Sequence, residues 1–306
     1  HLVRGDLQRV RRELLAETAV AYAQVLGSRA RAQVAEESVA AHQVLDAQIR
    51  RREQGQLASR ADVGLAGTRL AQARATSERF AGEVEVAAGE LLALTQVPVA
   101  VDQPVPARFT TLPDGASVLA LARERSAELL HRQLLLARAR AAVEQARTSA
   151  MPTVYLQADK GRGISANGDS GRVSVVLEGA LEGLGLAARG RTAAAVAQVQ
   201  AAEADLAASD SELGRTVRRL ESVRQTQRQL LDAQAASLRD LDGLVASYRR
   251  QYEAGTKSWL DVLNIQREWI DQKLQQVQAQ NEWLVLTLQL VALTGGFDDT
   301  APAALN

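Results

Sequence analysis

Apolar residues recur every seven positions near the carboxyl end of the chain. One series is Leu263, Ile270, Val277, Leu284 and Val291, and Leu260, Leu274 and Leu288 stand at companion positions of the same heptads. Glutamine and other polar residues fill most of the positions between them. This spacing is typical of a coiled-coil seam, so we expect a long helix that packs against at least one other helix.

The preceding stretch carries the same pattern in steps of three and four residues. Its members are Leu238, Leu241, Val245, Tyr248 and Tyr252. Gly255 lies between the two stretches, and glycine often ends a helix because it adopts a left-handed backbone. We therefore predict an antiparallel helical hairpin with its tip near Gly255, although an ordinary hairpin in any long bundle would show the same heptads.

Helix breakers set the bounds of the other helices. Four of the six prolines, Pro98, Pro104, Pro106 and Pro113, lie close together, and a proline inside a helix costs about 3 kcal/mol. The spans without proline are rich in strong helix formers and predict helices at about 7–53, 60–96, 115–149, 190–252 and 258–294. The fourth would be on the order of 90 Å long, which indicates a rod or a tube. Trp259, Trp269 and Trp283 are expected to pack between such helices.

The helical sequence contains two copies of one pattern, 199 residues apart. Ser59, Asp62, Val63, Leu91 and Thr95 correspond to Ser258, Asp261, Val262, Leu290 and Thr294. The glycines at the two predicted tips, Gly55 and Gly255, differ by one residue more, which predicts a one-residue insertion at the first turn. The repeat indicates two helical hairpins in one chain.

Between the two copies the period of the pattern falls to two. Residues 151–158 and 171–179 alternate, with Val154, Leu156, Val173, Val175 and Leu177 on the apolar side. The glycines expected to mark the connecting loop are Gly161, Gly163, Gly168 and Gly171. Strands of about nine or ten residues have the length that crosses a bilayer at a tilt. Because a lone hairpin leaves unpaired edges that lipid does not tolerate, it must either pack on a soluble part or close a barrel with other copies.

Composition contributes mainly by exclusion. The chain has 36 Lys+Arg and 36 Asp+Glu, without the basic excess of a nucleic-acid-binding protein. It has no cysteine for a disulfide or thiolate site, and His1, His42 and His131 share no metal-ligand spacing. No apolar run of about 18 residues predicts a membrane-spanning helix. We expect no enzyme, no cofactor, no metal and no nucleic-acid partner.

The turn segments resemble those of TolC-like outer-membrane efflux and type I secretion proteins. That family's periplasmic tip has a Tyr, a Gly, a basic residue and Asp-Val-Leu, which correspond here to Tyr252, Gly255, Lys257, Asp261, Val262 and Leu263. Residues 55–63 resemble the tip of the first repeat, residues 150–154 the helix-to-strand junction, and residues 293–295 the close of the last helix. The resemblance covers nearly the whole chain.

The resemblance implies a mainly α fold with a small β part. Long antiparallel coiled-coil hairpins would form an α-barrel in a trimeric duct. A β-hairpin would contribute to a transmembrane β-barrel, with its apolar side, Val154, Leu156, Val173, Val175 and Leu177, facing the membrane. A family protomer supplies two such β-hairpins, whereas one is visible here. We therefore expect that an N-terminal helix and a first β-hairpin precede residue 1, rather than a two-strand variant.

The resemblance also implies a gate at the tip. Asp62 of one coil would be linked to Tyr252 and Lys257 of the adjacent coil, and Asp261 would face the lumen in a ring of three carboxylates. The family often has a second acid one turn further on, where this chain has Asn264. A ring of three charges should bind cations less strongly than a ring of six. The alternative is that these are solvated turn residues.

The resulting domain plan has two helical repeats around a central β segment. It comprises a first repeat at 1–96 (tip near 55), a Pro-rich connector at 97–116, a helix at 117–150, a transmembrane β-hairpin at 151–180, a second repeat at 190–295 (tip near 255) and a tail at 296–306.

The function implied is an exit channel for type I protein secretion or multidrug efflux. It would lie in the outer membrane of a Gram-negative bacterium, with a long periplasmic extension. Implied partners are two sister copies, a periplasmic adaptor (membrane fusion) protein, an inner-membrane ABC or RND transporter and outer-membrane lipid. Residues 257–261 resemble the corresponding segment of ducts that secrete large adhesins more than that of drug-efflux ducts. A soluble periplasmic adaptor or scaffold is the alternative, but such adaptors carry one hairpin per chain.

Overall fold

The computed structural model describes residues 2–112, 115–148, 153–161, 170–178 and 186–298. In chain order these residues form α1 (Leu2–Gln54), α2 (Arg60–Thr95), a short 3₁₀ helix (Ala107–Phe109), α3 (Gly115–Arg125), α4 (Ala127–Thr148), β1 (Thr153–Gly161), β2 (Ser170–Glu178), α5 (Leu186–Glu253) and α6 (Trp259–Leu293). This mainly helical fold with one small antiparallel sheet confirms the predicted fold class. None of the described helices is both long and apolar enough to span a membrane.

The chain divides into two compact units. One contains residues 1–6 and 127–213, and the other contains residues 7–126 and 214–306. The first unit therefore holds α4, the strand hairpin and the beginning of α5. The second holds most of α1, together with α2, α3, the rest of α5 and α6.

In the first unit, α4 buries one stripe of residues seven positions apart. These are Leu129, Leu136 and Val143, so the heptad rule that predicted coiled-coil packing also applies to this helix. Ion pairs join α4 to the beginning of α5, with Arg140 2.9 Å from Glu203 and Arg132 3.7 Å from Asp205. Because the residue number rises along one helix as it falls along the other, the two segments run antiparallel.

The strand hairpin has one apolar face. Its register places Val154 opposite Leu177, Leu156 opposite Val175 and Ala158 opposite Val173. Gly161 and Gly171, which we predicted to lie in the loop, instead lie in the strands, because the paired ladder extends to Gly161 and Ser170. Gly163 and Gly168 lie outside the described residues, as do Met151 and Pro152 of the predicted strand junction.

The second unit is held by three apolar clusters. Ala21 and Val25 of α1 pack with Ala87 and Leu91 of α2 at one end. A second cluster joins Ala23, Leu288, Val291 and Phe297. The third lies beside the turns at the other end and consists of Leu45, Ile49, Ala66, Trp259, Val262 and Leu263. Helix α1 thus contacts both α2 and α6 over much of its length.

The helix predicted at 115–149 is interrupted. Helix α3 ends at Arg125 and α4 begins at Ala127, so the break falls at Ser126. The Arg12 guanidinium donates a hydrogen bond to the Arg125 carbonyl and also binds the Asp298 carboxylate at 2.8 Å. These contacts tie the end of α3 to two distant segments, and the break coincides with the boundary between the two units.

Candidate functional site at the two helical turns

The two turns have the same backbone hydrogen bonds at an offset of 199 residues. In the first turn the amides of Gly55, Gln56 and Leu57 donate to the carbonyls of Arg51, Glu53 and Arg52. In the second, the amides of Ala254, Gly255 and Thr256 donate to the carbonyls of Arg250, Tyr252 and Gln251. The local sequence around each turn therefore builds one and the same backbone geometry.

This equivalence corrects the predicted one-residue insertion. The residue with a left-handed backbone in the first turn is Gln56, with φ of 58°, and not Gly55. Its counterpart 199 residues later is Gly255, with φ of 75°. The same offset relates Gln96 and Gly295, which have φ of 57° and 71°. Pairing the two glycines gave the wrong alignment of the turns, because the first copy has glutamine at a position where glycine is usual.

A capping box begins the helix after each turn. In the first, the Ser59 amide donates to Asp62 Oδ2 at 2.9 Å, while the Asp62 amide donates to Ser59 Oγ at 3.1 Å. Ser258 and Asp261 form the same pair of bonds at 3.1 and 3.2 Å. Such boxes satisfy amides that a helix start leaves free. The spacing Ser-x-x-Asp in the sequence is the local signal that encodes both.

These bonds also lower the pKa of both carboxyl groups. The Ser59 amide lowers the pKa of Asp62 most, followed by the Ser59 hydroxyl and the Trp259 indole. The Ser258 hydroxyl and amide lower the pKa of Asp261. Both side chains are therefore held as anions at the start of a helix, where the helix dipole also favours negative charge.

One hydrogen bond links the two turns directly. The Trp259 indole Nε1 donates to Asp62 Oδ1 at 3.0 Å, although the two residues are 197 positions apart. The Trp259 ring is only 8% exposed and packs with Leu45 and Ile49 of α1. The contact therefore combines an apolar anchor with a polar link, and we call it the Trp259–Asp62 clasp.

Tyr252 and Lys257 lie beside the clasp without joining it. In the described part of the chain, neither forms a hydrogen bond or ion pair with Asp62. The Lys257 ammonium stands 4.6 Å from the ring centroid of Tyr248. The Arg52 guanidinium stands 4.9 Å from that of Tyr252, whose hydroxyl is buried without a hydrogen-bond partner among the described residues. The predicted link from Asp62 to Tyr252 and Lys257 is thus not formed within one chain.

The two remaining predicted tip residues lie on α6. Asp261 is in the first turn of that helix, and Asn264 is exposed one turn further on. Asn264 lines a cavity of about 150 Å³ together with His42 and Asp271. His42 itself is buried, with Nδ1 2.8 Å from the Ser38 carbonyl, so it is a structural residue of α1. Among the described residues no cluster of three or more His, Cys, Asp or Glu side chains could hold a metal ion.

The five strand residues predicted to face lipid lie on one face of the hairpin and are exposed. Their exposed fractions range from 62% to 71%, for Val154, Leu156, Val173, Val175 and Leu177. On the opposite face Gln157 pairs with Ser174, whereas Tyr155 pairs with Val176. Within one copy, the described residues thus leave the apolar face of the hairpin uncovered.

Comparison with known proteins places this geometry in a family. The profile of the outer membrane efflux protein family matches residues 118–296, which is more than half of the chain. This chain belongs to the outer membrane efflux protein family. No curated protein sequence matches the chain.

Solved outer-membrane channels share the fold of this outer membrane efflux protein. OprN is 22% identical with a TM-score of 0.79, over 96% of this chain and 68% of OprN. VceC from Vibrio cholerae is 18% identical with a TM-score of 0.77, over 97% of this chain and 73% of VceC. MtrE from Neisseria gonorrhoeae, in its open state, is 18% identical with a TM-score of 0.64, over 92% of this chain and 67% of MtrE.

Family membership gives the general role of the protein. An outer membrane efflux protein is a channel and not an enzyme, and it lies in the outer membrane of a Gram-negative bacterium with a long helical extension in the periplasm. Two features described above bear on this role, the helical turns of the second unit and the apolar strand face of the first.

Proposed function

We propose that three copies of this chain form an exit duct whose periplasmic end is gated at the two helical turns. The observation that carries the proposal is the Trp259–Asp62 clasp, which joins the tips of the two hairpins at one level. Both tips also share one apolar cluster with residues from all four helices, since Tyr248 and Tyr252 pack against it. A contact at the ends of long hairpins controls how far those ends can separate.

The strand hairpin supports assembly with sister copies. A two-stranded hairpin alone is at best marginally stable in water, and this one exposes an apolar face. Lipid would cover that face, and strands from sister copies would pair with the two free edges. We infer that Val154, Leu156, Val173, Val175 and Leu177 face outer-membrane lipid.

In this duct the tip residues have separate roles. Asp62 is held by Trp259 inside each chain, which keeps the second hairpin against the first. Lys257 and Tyr252 are proposed to contact the adjacent coil of a sister copy, since neither binds Asp62 within one chain. Asp261 and Asn264 are proposed to line the lumen, where three carboxylates attract cations less strongly than six.

The cargo leaves through a complex with other proteins. We propose a periplasmic adaptor and an inner-membrane ABC or RND transporter as partners, with type I protein secretion favoured over drug efflux by the Lys257–Asp261 segment. Cells that express the channel with either kind of transporter would distinguish the two, through export of a large adhesin or through resistance to drugs.

The gate is tested by conductance in planar lipid bilayers. We expect the double substitution Asp62→Ala, Lys257→Ala to raise single-channel conductance, because it removes the acceptor of the clasp and the nearby basic group. Unchanged conductance in a correctly inserted trimer would remove these residues from the gate. The mass of the detergent-solubilised complex tests the trimer itself, and a freely soluble monomer without detergent would support a periplasmic adaptor instead.

A further inference from the structure

The two repeats predict a second contact that is equivalent to the clasp, and the described residues do not form it within one chain. At the offset of 199 residues, Trp259 corresponds to Arg60 and Asp62 corresponds to Asp261. Trp259 is the first residue of α6 and Arg60 the first residue of α2, and both aspartates complete capping boxes. Arg60 of the first hairpin and Asp261 of the second therefore occupy the positions in the repeat that correspond to Trp259 and Asp62 of the clasp.

Arg60 is free to make a new contact. Its side chain is 97% exposed, and its one ion pair among the described residues is with Glu53 at 4.0 Å, the outer limit of such a contact. Asp261 uses Oδ2 for the Ser258 amide and hydroxyl, at 3.1 and 2.8 Å. Asp62 uses Oδ2 in the same way, and its Oδ1 accepts the hydrogen bond from the Trp259 indole. The Oδ1 atom of Asp261 has no such donor in the described chain.

The apolar residues around the clasp show the same asymmetry. Leu45 of α1 is 6% exposed because it packs against Trp259 and Val262 of the second hairpin. Its counterpart at the same offset is Leu244 of α5, which is 45% exposed. The first hairpin is thus covered at its tip by the second, while the equivalent surface of the second hairpin is left open.

A closed ring of alternating hairpins would fill this surface. If the second hairpin sits on the first within one chain, the first hairpin of the next copy sits in the same way on the second. The rotation that carries each hairpin onto the next one in the ring moves Asp62 to the position of Asp261. The same rotation moves Trp259 to the position of Arg60 of the next copy, which would therefore lie against Asp261. A guanidinium and a carboxylate are complementary in charge, and an arginine fork suits a carboxylate oxygen well.

We propose that Arg60 of each copy forms an ion pair with Asp261 of the adjacent copy, closing the tip of the duct between chains. This inference rests on the proposed trimer and assigns Asp261 a partner in the closed state. The tip ring would then consist of two alternating contacts, an indole–carboxylate bond within each chain and a guanidinium–carboxylate pair between chains.

Cysteine cross-linking tests the geometry, because residues 1–306 include no cysteine that would compete. We expect the double substitution Arg60→Cys, Asp261→Cys to give covalent dimers and trimers after oxidation, seen on a non-reducing gel. Co-expressed chains that each carry one of the two substitutions should give covalent dimers. The matched control is Asp62→Cys, Trp259→Cys, whose cross-link lies within one chain and leaves a monomer band.

A charge exchange tests the ion pair by a second measurement. Arg60→Glu should raise the mean current through the channel at least about fivefold, and Arg60→Glu with Asp261→Arg should return it to within about twofold of the original. Arg239→Glu, an exposed arginine of α5, should leave the current unchanged. Arg60→Glu should fold normally, because Arg60 is exposed and an acid suits the first turn of a helix.

The outcomes separate the inference from the proposed function. Monomers by mass would refute both. Trimers in which residues 60 and 261 cross-link only within a chain, or in which the charge exchange fails to restore the current, would refute the ion pair and leave the trimeric duct intact. Cross-links between chains together with restored current support it.

Discussion

The substitution Trp259→Phe isolates the hydrogen bond of the clasp. Phenylalanine keeps an aromatic ring in the cluster with Leu45 and Ile49 but has no N–H to donate to Asp62. Trp269 lies ten residues after Trp259 on α6, and its indole also donates to an aspartate, Asp242 of α5. Trp269→Phe is therefore a matched control. The two variants lose the same kind of bond and the same part of an indole ring, one at the tip and one away from it.

The size of the effect follows from the geometry of the bond. The 3.0 Å distance and the burial of the Trp259 ring favour a bond of ordinary strength, while the exposed acceptor weakens it. A net contribution of about 1 kcal/mol, in the middle of the usual range, corresponds to about fivefold in the ratio of open to closed tips for each copy. If three tips open together, the effects multiply to about 100-fold.

Single-channel recording in planar bilayers measures this ratio. We expect Trp259→Phe to spend far more time in the conducting state than the unsubstituted channel, at neutral pH and moderate salt. Trp269→Phe should behave like the unsubstituted channel. Thermal unfolding of both variants, followed by circular dichroism, checks that they lose similar stability.

Equal open times of the two variants would show that the clasp does not hold the tip closed. Less frequent opening of Trp259→Phe would show that the clasp holds the open state instead. An effect as large in Trp269→Phe would mean that indole loss anywhere along α6 loosens the duct.

Two further predictions concern the turns themselves. Gln56→Gly should raise the free energy of unfolding by roughly 0.5–1 kcal/mol, because Gln56 has φ of 58° and glycine adopts this backbone without strain; Gly255→Gln should lower it by a similar amount, and chemical denaturation measures both. Asp261 has a lowered pKa in the folded protein, so its capping box stabilises the fold above about pH 4 and is lost as the pH falls through the lowered value. Asp261→Asn should therefore flatten the fall of the melting temperature between about pH 5 and pH 3, and an unaltered slope would contradict the stated cause.

Local patterns in the sequence were sufficient for the two helix starts after the turns and for the pairing of the strands. Helix α2 begins at Arg60 as predicted, and α6 begins at Trp259, one residue after the predicted start. In both cases the serine before the helix and the aspartate three residues later are adjacent in sequence, so the cap is a local property. The apolar alternation that predicted the hairpin is likewise local, and the register pairs the alternating residues face to face.

Contacts between distant residues were beyond the sequence pattern. The break at Ser126 involves Arg12, which binds the Arg125 carbonyl from 113 residues away. Trp259 was expected only to pack between helices, whereas it also donates to Asp62 from 197 residues away. No periodicity encodes which distant acceptor an indole will meet, because that depends on how the hairpins sit against each other.

The two contacts proposed for the tip ring should respond differently to salt, because their surroundings differ. The Trp259 indole is buried and carries no charge, so its bond to Asp62 depends little on ionic strength. Arg60 is almost fully exposed, and at 1 M salt the Debye length falls to about 3 Å, which screens an exposed ion pair strongly. High salt should therefore loosen the tip between chains, and Arg60→Glu should add little to the open time under those conditions. Trp259→Phe should still add its full effect at 1 M salt, and equal loss of both effects would mean that the two contacts do not alternate around the ring as separate elements.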